Sequence, residues 1–352
     1  MTLTSLVLQA FRSYSKKTWV FSADVTCIVG PNAVGKTNVL EAIMMLATAK
    51  SFRAGADREV IRWDSEVARI TAQSSEEKLE IVLTQGVVSG QPAPLKKYLV
   101  NGVARRSVDF VGVLRAVLFW PEDLEIVTDS PSIRRKYLDT VLVQTDREYR
   151  RNLLSYERGL RQRNKLLDHV NEGKASRSQL LFWDQLLIRA GGYITEKRAS
   201  YIAFVNTTSL SKHRFLVTYD KSVISEARLL QYKDEEVAAK STLVGPHRDD
   251  FALLHQEHGA IIANGYRDLS KFGSRGEQRL AVLWLKLAEL LYIEHETGSR
   301  PILLLDDIFS ELDQVHRALV GDITVKQQTI ITSTDFDSLP EEIQKTAQVI
   351  RL

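Results

Sequence analysis

The chain has 352 residues, of which 44% are hydrophobic and 26% charged, and its formal net charge is +3. This length supplies a core for one large or two ordinary domains, and the near balance of charge demands no polyanionic partner. The single cysteine excludes an internal disulfide and a multi-cysteine metal site. With no signal-peptide pattern and no apolar run of about 18 residues, we expect a soluble cytoplasmic protein with no membrane partner.

The first predicted elements are short strands that lead into a phosphate-binding loop. Residues 3–11 alternate loosely, and Val25–Val29 is typical of a buried strand because it is short, apolar and β-branched. Apolar residues at helical spacing then run from Asn38 to Ala47. Between strand and helix, G-x-x-x-x-G-K-[ST] is matched by Gly30-Pro31-Asn32-Ala33-Val34-Gly35-Lys36-Thr37.

The residue types of this loop suit phosphate chemistry. Glycines let successive backbone N–H groups point at phosphate oxygens, and the following helix aims its dipole at the same anion. We expect all eight loop residues to contact nucleotide, with Lys36 also catalytic at the β- and γ-phosphates and Thr37 also a ligand of Mg²⁺. A chance turn is the alternative, and the strand and helix on either side favour the phosphate loop.

Strand signals continue to about residue 119, and helix signals then replace them. Residues 96–103 predict a hairpin arm that ends in an Asn-Gly turn, and residues 113–119 predict an apolar strand. From about 132 to 207 the spacing is helical, and the stretch 147–165 is rich in arginine. A solvated helix face and a surface for DNA phosphates both explain those arginines.

A second apolar strand near the end of the chain supplies the carboxylates that a phosphate loop needs. Residues 301–305 lead into Asp306 and Asp307. We expect Asp306 to hold Mg²⁺ and Asp307 to orient or deprotonate the attacking water. Solvated acids at a strand end are the alternative. The long separation from the loop is typical of an ATPase whose two halves are divided by an insertion.

A serine-glycine motif lies between the two halves, at the start of a predicted helix. Ser274-Arg275-Gly276-Glu277-Gln278 can bind an anion through its hydroxyl and free N–H groups, and a simple capped helix is the alternative. Residues 310–313 follow the two acids, and a strand at 329–332 precedes Thr334.

This order of motifs resembles that of ABC-type ATPase heads. The resemblance implies that Ser274 and Gly276 belong to a signature motif that caps the γ-phosphate held by another subunit, so that ATP joins two copies of the chain. It also implies that Asp313, in a D-loop formed by 310–313, contacts nucleotide and that Thr334 occupies the switch position. The absence of a switch histidine argues against a transporter subunit.

Within this superfamily the chain resembles the RecF family over essentially its whole length. The specific matches are Phe11–Tyr14, Phe119–Leu124, Ser130–Asp139 and Gly245–Asp250. Ala33 departs from the pattern, since many members have glycine there. The resemblance implies an ATPase with slow, DNA-stimulated hydrolysis to ADP and phosphate and an ATP-dependent homodimer. It also implies binding to gapped or single-strand/double-strand junction DNA, and partners of the RecR and RecO type that help to load a recombinase.

We therefore predict an α/β ABC-type ATPase head with an inserted, mostly α-helical arm. The expected boundaries are 1–128 for the first part of the head, 129–210 for the arm and 211–352 for the second part. Other ABC-type subunits, of chromosome-organising or transporter type, and a non-hydrolysing ATP-dependent scaffold are the alternatives. The candidate DNA contacts are Arg134, Arg135, Arg150 and Arg151. His247 has no assigned step.

Overall fold

The computed structural model describes residues 2–210, 214–256, 265–310 and 314–352. They divide into two compact units. The first unit contains the residues up to Asp123 together with Glu289–Leu352, and the second contains Leu124–Ala288. The α/β prediction is confirmed, because the first unit combines two main sheets with helices and helices dominate the second unit.

The first part of the chain is rich in strands. Its elements are β1 (Leu3–Phe11), β2 (Tyr14–Val20), β3 (Val25–Val29), α1 (Lys36–Thr48), β4 (Val67–Ser74), β5 (Lys78–Thr84), β6 (Val87–Val88), β7 (Gln91–Pro92), β8 (Lys96–Val100), β9 (Val103–Arg105), α2 (Ser107–Phe110) and β10 (Ala116–Phe119). The predicted hairpin is confirmed: β8 and β9 pair through a turn in which Asn101 and Gly102 both have positive φ.

The middle of the chain is mostly helical. Its elements are α3 (Glu125–Thr128), α4 (Pro131–Thr145), α5 (Arg147–Asn171), α6 (Leu181–Thr207), β11 (Phe215–Asp220), α7 (Glu226–Gln231), α8 (Lys233–Ala239), β12 (Asp250–Gln256), β13 (Tyr266–Asp268), α9 (Leu269–Phe272) and α10 (Arg275–Thr297). Asp146 begins α5 by accepting hydrogen bonds from the backbone N–H groups of Glu148 and Tyr149.

The last part of the chain returns to the first unit. Its elements are β14 (Ile302–Asp306), α11 (Gln314–Thr324), β15 (Thr329–Ser333), α12 (Glu341–Thr346) and β16 (Gln348–Arg351). All pairs in the five-stranded sheet β10-β14-β15-β3-β16 are parallel. The carboxyl ends of β3 and β14 therefore lie on the same edge of this sheet, which is where a parallel sheet places its ligand site.

A second sheet of the first unit is antiparallel, in the order β2-β1-β4-β5-β8-β9. One row across it is formed by Trp19, Leu6, Ala72 and Leu79, and all four side chains are buried. Helix α1 contacts strands of both sheets. Since ten of its thirteen residues are buried, it anchors the phosphate loop to the core on both sides.

The structural units differ from the predicted boundaries. The predicted arm, 129–210, is only part of the second unit, which continues to Ala288 and includes β11, β12 and β13. Strand β11 packs against α6, and Arg198 on α6 donates to the Pro246 carbonyl and the Asp249 carboxylate. These contacts join the helices to the chain after residue 210, a pairing that local sequence patterns do not reveal.

None of the helices among the described residues combines the length and the apolar character needed to cross a membrane.

Candidate functional site

The phosphate loop has the conformation that its glycines require. Gly35 lies at φ 107°, and a Cβ there would come within 2.8 Å of the Ser13 hydroxyl and 2.9 Å of the Tyr14 hydroxyl. Tyr14 donates a hydrogen bond to the Gly35 carbonyl at 3.1 Å. Ala33 also has a positive φ, 64°, a conformation that glycine adopts at lower cost than alanine.

Lys36 begins α1, and its side chain turns back over the loop. Its Nζ donates to the carbonyls of Gly30 at 2.6 Å and Pro31 at 2.9 Å. Burial lowers the pKa of Lys36, while the nearby carboxylates of Asp307 and Asp306 oppose that change. The loop thus holds a cation beside two acids before any phosphate binds.

Asp306 ends β14 and is held by two threonine hydroxyls. Its Oδ1 accepts a hydrogen bond from Thr37 at 3.0 Å and from Thr332 at 2.6 Å. The pairing of β14 with β15 places Asp306 opposite Thr332. Thr37 and Asp306, predicted from opposite ends of the chain, are therefore in direct contact. A hydroxyl and a carboxylate are oxygen donors of the kind that Mg²⁺ prefers.

Asp307 lies in a constrained conformation. Its φ is 51°, in the left-handed region that non-glycine residues rarely adopt, and its N–H donates to the Thr332 carbonyl at 3.1 Å. The carboxylate of Asp307 is near enough to Lys36 to oppose the lowering of the pKa of that lysine by burial.

A cavity of about 380 Å³ connects the loop with the two acids. The residues that line it are Asn32, Ala33, Gly35, Lys36, Thr37, Asn38, Arg53, Trp120, Pro121, Glu122, Asp306 and Asp307. The structure therefore brings together most of the residues predicted from the first and last parts of the chain. Gly30, Pro31 and Val34 are not among the lining residues, although Gly30 and Pro31 hold Lys36.

The sequence reasoning missed a charged cluster beside this cavity. Glu41 on α1 is fully buried, and it accepts hydrogen bonds from Arg12 at 2.6 and 2.9 Å, from Arg53 at 2.7 Å and from Ser51 at 2.5 Å. Burial alone would raise the pKa of Glu41, but these donors hold it below its usual value. Arg53 also donates to Asn38 at 2.7 Å and lines the cavity. An acid on an otherwise apolar helix was the signal in the sequence.

The signature serine lies in the second unit. The Ser274 hydroxyl donates to Glu277 Oε2 at 2.8 Å, and the Ser274 N–H donates to the same oxygen at 2.8 Å. Arg267 donates to the other carboxylate oxygen. Within its own chain the motif is thus a capped helix start. A Cβ added at Gly276 would meet nothing within 4 Å, so the fold of the chain itself does not require glycine there.

The two remaining predicted residues lie near the end of the chain. Asp313 lies outside the described residues. Thr334 follows β15 and is exposed, whereas Thr332, which was not predicted, contacts Asp306.

The four arginines suggested as DNA contacts all have partners within the second unit. Arg134 forms a bidentate pair with Asp250, and Arg135 donates to the Asp249 carbonyl. The partners of the other two lie close by in sequence: Arg150 donates to the Val143 carbonyl and Arg151 donates to Glu148. Arg134 and Arg135 thus hold α4 to residues 249–250, whereas these contacts of Arg150 and Arg151 are local.

His247 is part of the same folded network. Its Nδ1 accepts from the Tyr156 hydroxyl at 2.7 Å, and its Nε2 donates to the Thr242 carbonyl at 3.0 Å. Burial lowers the pKa of His247 to about 4, so the ring is neutral at physiological pH. This arrangement makes His247 a link between α5 and the turn at 242–248.

Comparison with known proteins places this geometry among related folds. The family model described as RecF/RecN/SMC N-terminal domain matches residues 2–351. The chain is 35% identical to the DNA replication and repair protein RecF of Lachnoclostridium phytofermentans, over 100% of this chain and 98% of the relative. It is 38% identical to the protein of the same name from Thermomicrobium roseum, with the same coverage.

Solved structures give the same result. The recombination mediator protein RecF-ATPrS in the RecFOR pathway is similar with a TM-score of 0.84 and 31% identity, over 96% of this chain and 94% of that chain. RecF-ATP in the same pathway matches with a TM-score of 0.84 and 31% identity, over 95% of this chain and 92% of that chain. An Smc head bound to a domain of ScpA, at 16% identity and a TM-score of 0.51, over 100% of this chain and 94% of that chain, shares the fold alone.

Proposed function

The chain belongs to the RecF family within the RecF/RecN/SMC group, and we propose that it is an ATP-dependent DNA-binding protein of recombinational repair and replication-fork maintenance. ATP binding joins two copies of the chain, and the dimer binds gapped or junction DNA and helps to load a recombinase. The observation that carries the proposal is the direct contact of Thr37 with Asp306 at the mouth of the phosphate loop.

Different residues of the first unit have different roles in binding and hydrolysing ATP. The loop N–H groups bind the phosphates, and Lys36 exchanges its two carbonyl partners for the β- and γ-phosphate oxygens. Thr37 and Asp306 would hold Mg²⁺, which would neutralise charge on the phosphates. Thr332 keeps the Asp306 carboxylate in the orientation that this role needs.

Asp307 orients the attacking water or accepts its proton. Its backbone N–H donates to the Thr332 carbonyl, and its side chain is one methylene shorter than that of a glutamate. Because an aspartate reaches less far toward the attacking water than a glutamate would, slow hydrolysis is favoured. We propose that DNA raises the rate.

Ser274 completes the site of a second copy. Its hydroxyl and the first N–H groups of α10 are donors suited to a γ-phosphate, and Arg267 offsets the charge of Glu277 at that helix start. Asp313 is proposed to contact nucleotide across the same dimer, and partners of the RecR and RecO type act on the DNA-bound form.

The first test is sedimentation of the chain with ATP, with ADP and without nucleotide. We expect a dimer with ATP only, and we expect Ser274→Arg to abolish it because the arginine side chain fills the γ-phosphate position. Ser178→Arg is the matched control, since Ser178 is an exposed serine of the same unit. A chain that stays monomeric with ATP, even with gapped DNA present, would refute the dimer.

ATP turnover provides the second test. Asp306→Asn should lower the rate at least about 100-fold, because it removes the carboxylate proposed to hold the Mg²⁺ that neutralises the phosphates. The exposed Asp337→Asn variant should keep the rate of the wild type. If the wild type turns over ATP no faster than Asp307→Asn does, turnover does not depend on the proposed site. That result would favour the non-hydrolysing scaffold instead.

A further inference from the structure

Trp63 stands out among the tryptophans of this chain because its side chain is 96% exposed. Trp19 and Trp284, by contrast, are 2% and 1% exposed. A single exposed apolar side chain is ordinary on a protein surface, so exposure by itself assigns no role. The contacts and charges around Trp63 indicate its role.

The backbone beside Trp63 is held in place by the strand that precedes the phosphate loop region. Ile61 forms a β-bridge with Phe11, and the Arg62 N–H donates to the Ala10 carbonyl at 2.9 Å. The Arg62 guanidinium donates to the Ser13 carbonyl at 3.1 Å and pairs with Asp64 at 2.8 Å. The indole is therefore presented by a fixed turn.

This turn is connected to the nucleotide cavity by short hydrogen bonds. Ser13, which accepts from Arg62, also accepts from the Asn38 side chain at 3.0 Å through its hydroxyl. Asn38 lines the cavity and accepts from Arg53, which lines it too. One residue along from Ser13, Tyr14 donates to the Gly35 carbonyl. Ser13 and Asn38 therefore form a continuous hydrogen-bonded connection between the cavity and the Trp63 turn.

The charge around Trp63 indicates which kind of partner covers it. The segment 57–66 contains four acidic and two basic side chains. With Lys96, which pairs with Asp57 at 2.7 Å, the turn has four acids against three bases, whereas DNA-contact surfaces are strongly basic. A protein surface fits better, and tryptophan is the side chain most enriched among residues that dominate protein interfaces.

We propose that Trp63 is an aromatic anchor of ATP-dependent self-association and is covered by a second copy of this chain. The proposal rests on the function proposed above, in which ATP at this cavity joins two copies. It adds that the contact between copies extends to the 57–66 turn, where nucleotide and interface are coupled through Ser13 and Asn38.

The test measures the dimer dissociation constant by sedimentation with ATP for the wild type, Trp63→Ala, Trp63→Phe and Leu95→Ala. Leu95 is the matched control because it is also exposed, at 62%, and belongs to the same unit. We expect Trp63→Ala to weaken the dimer at least tenfold, Trp63→Phe to weaken it less, and Leu95→Ala to leave it unchanged. ATP affinity at concentrations below dimerisation should be equal in all four.

Tryptophan fluorescence gives a second readout on the intact chain. ATP should shift the emission to shorter wavelength at concentrations that form the dimer, and Trp63→Phe should remove that shift. If the wild type forms no dimer, the proposed function and this inference both fail. If the wild type dimerises and Trp63→Ala matches it, the inference alone fails. A variant that dimerises normally and loses binding to gapped DNA would make Trp63 a DNA contact and overturn the inference.

Discussion

Each unit of this protein has a buried charge at the centre of a hydrogen-bonded cluster, and the two clusters differ in how open they are. In the second unit the central charge is Arg198, whose side chain is 3% exposed. It donates to Asp139 at 2.8 Å and to Asp249 at 3.2 Å. Asp249 is fully buried, so water does not reach the ion pair between Arg198 and Asp249.

The cluster of the first unit has the opposite sign and is open at its edge. Its central Glu41 is fully buried, but the partners Arg12 and Arg53 keep 23% and 31% of their side chains exposed. Arg53 also lines the nucleotide cavity. In the second unit, the ion pairs of Arg198 therefore hold α6 to the turn before β12. In the first unit, the ion pair with Glu41 holds Arg53 at the edge of the cavity.

The largest expected effect is that of breaking the closed cluster. Arg198→Met leaves Asp249 buried without its cation, and removing one partner of a buried pair costs about 3–5 kcal/mol. Urea unfolding followed by circular dichroism measures this loss. Arg151→Met, at a side chain that is 61% exposed, is the control and should change stability by no more than about 0.5 kcal/mol. Equal effects of the two variants would contradict the contrast between the clusters.

Breaking the open cluster should cost less. Glu41→Gln removes a carboxylate that accepts from two arginines, and hydrogen bonds to charged groups contribute about 1.5–3 kcal/mol. Because both arginines are partly exposed, water replaces part of what they lose, and we expect a loss of about 2 kcal/mol. The same urea titration measures it, with the 85% exposed Glu341→Gln as control. A loss above that of Arg198→Met would reverse the ranking.

Acid should lower the free energy of unfolding of the second unit through the protonation of His247. Its folded pKa of about 4 lies below the ordinary 6.5, so the unfolded chain binds the proton more readily between these values. The stabilisation is complete above pH 6.5 and is lost as pH falls toward 4. Between pH 7 and 5 we expect about 2 kcal/mol, since one pKa unit equals about 1.4 kcal/mol.

The check on that expectation is a comparison of unfolding free energies at pH 7 and pH 5 in the wild type and in His247→Gln. The variant should lose about 2 kcal/mol of the pH dependence, because the other histidines are present in both proteins. An identical pH dependence in the two proteins would exclude His247 as its source.

The smallest expected effect lies in the phosphate loop. Ala33→Gly relieves a left-handed conformation that costs a non-glycine residue about 1–2 kcal/mol, and chain entropy offsets about 0.5–1 kcal/mol of that gain. We expect a net stabilisation of about 0.5 kcal/mol, seen as a higher melting temperature. Ala54→Gly, at a residue without positive φ, should instead destabilise the chain.

Local patterns were sufficient for the fold class and for half of the candidate site. The phosphate loop and the strand that ends in Asp306 were predictable because each depends on neighbouring residues: a buried strand, then glycines or acids at its end. Glu41 and Arg53 escaped notice because an isolated acid and a basic loop give no periodic signal. The second unit extends beyond the predicted arm because β11 and β12 pack against α6 and α4, through contacts that local spacing does not encode.

By itself the sequence determined the order of the motifs, the phosphate loop with Lys36 and Thr37, and the carboxylates at the end of β14. Only the tertiary structure decided which groups meet, since the partners are far apart along the chain. Thr332 reaches Asp306 across 26 positions, Arg198 reaches Asp249 across 51, and Arg134 reaches Asp250 across 116. Such pairs follow from strand register and helix packing, because these bring distant side chains within hydrogen-bond distance.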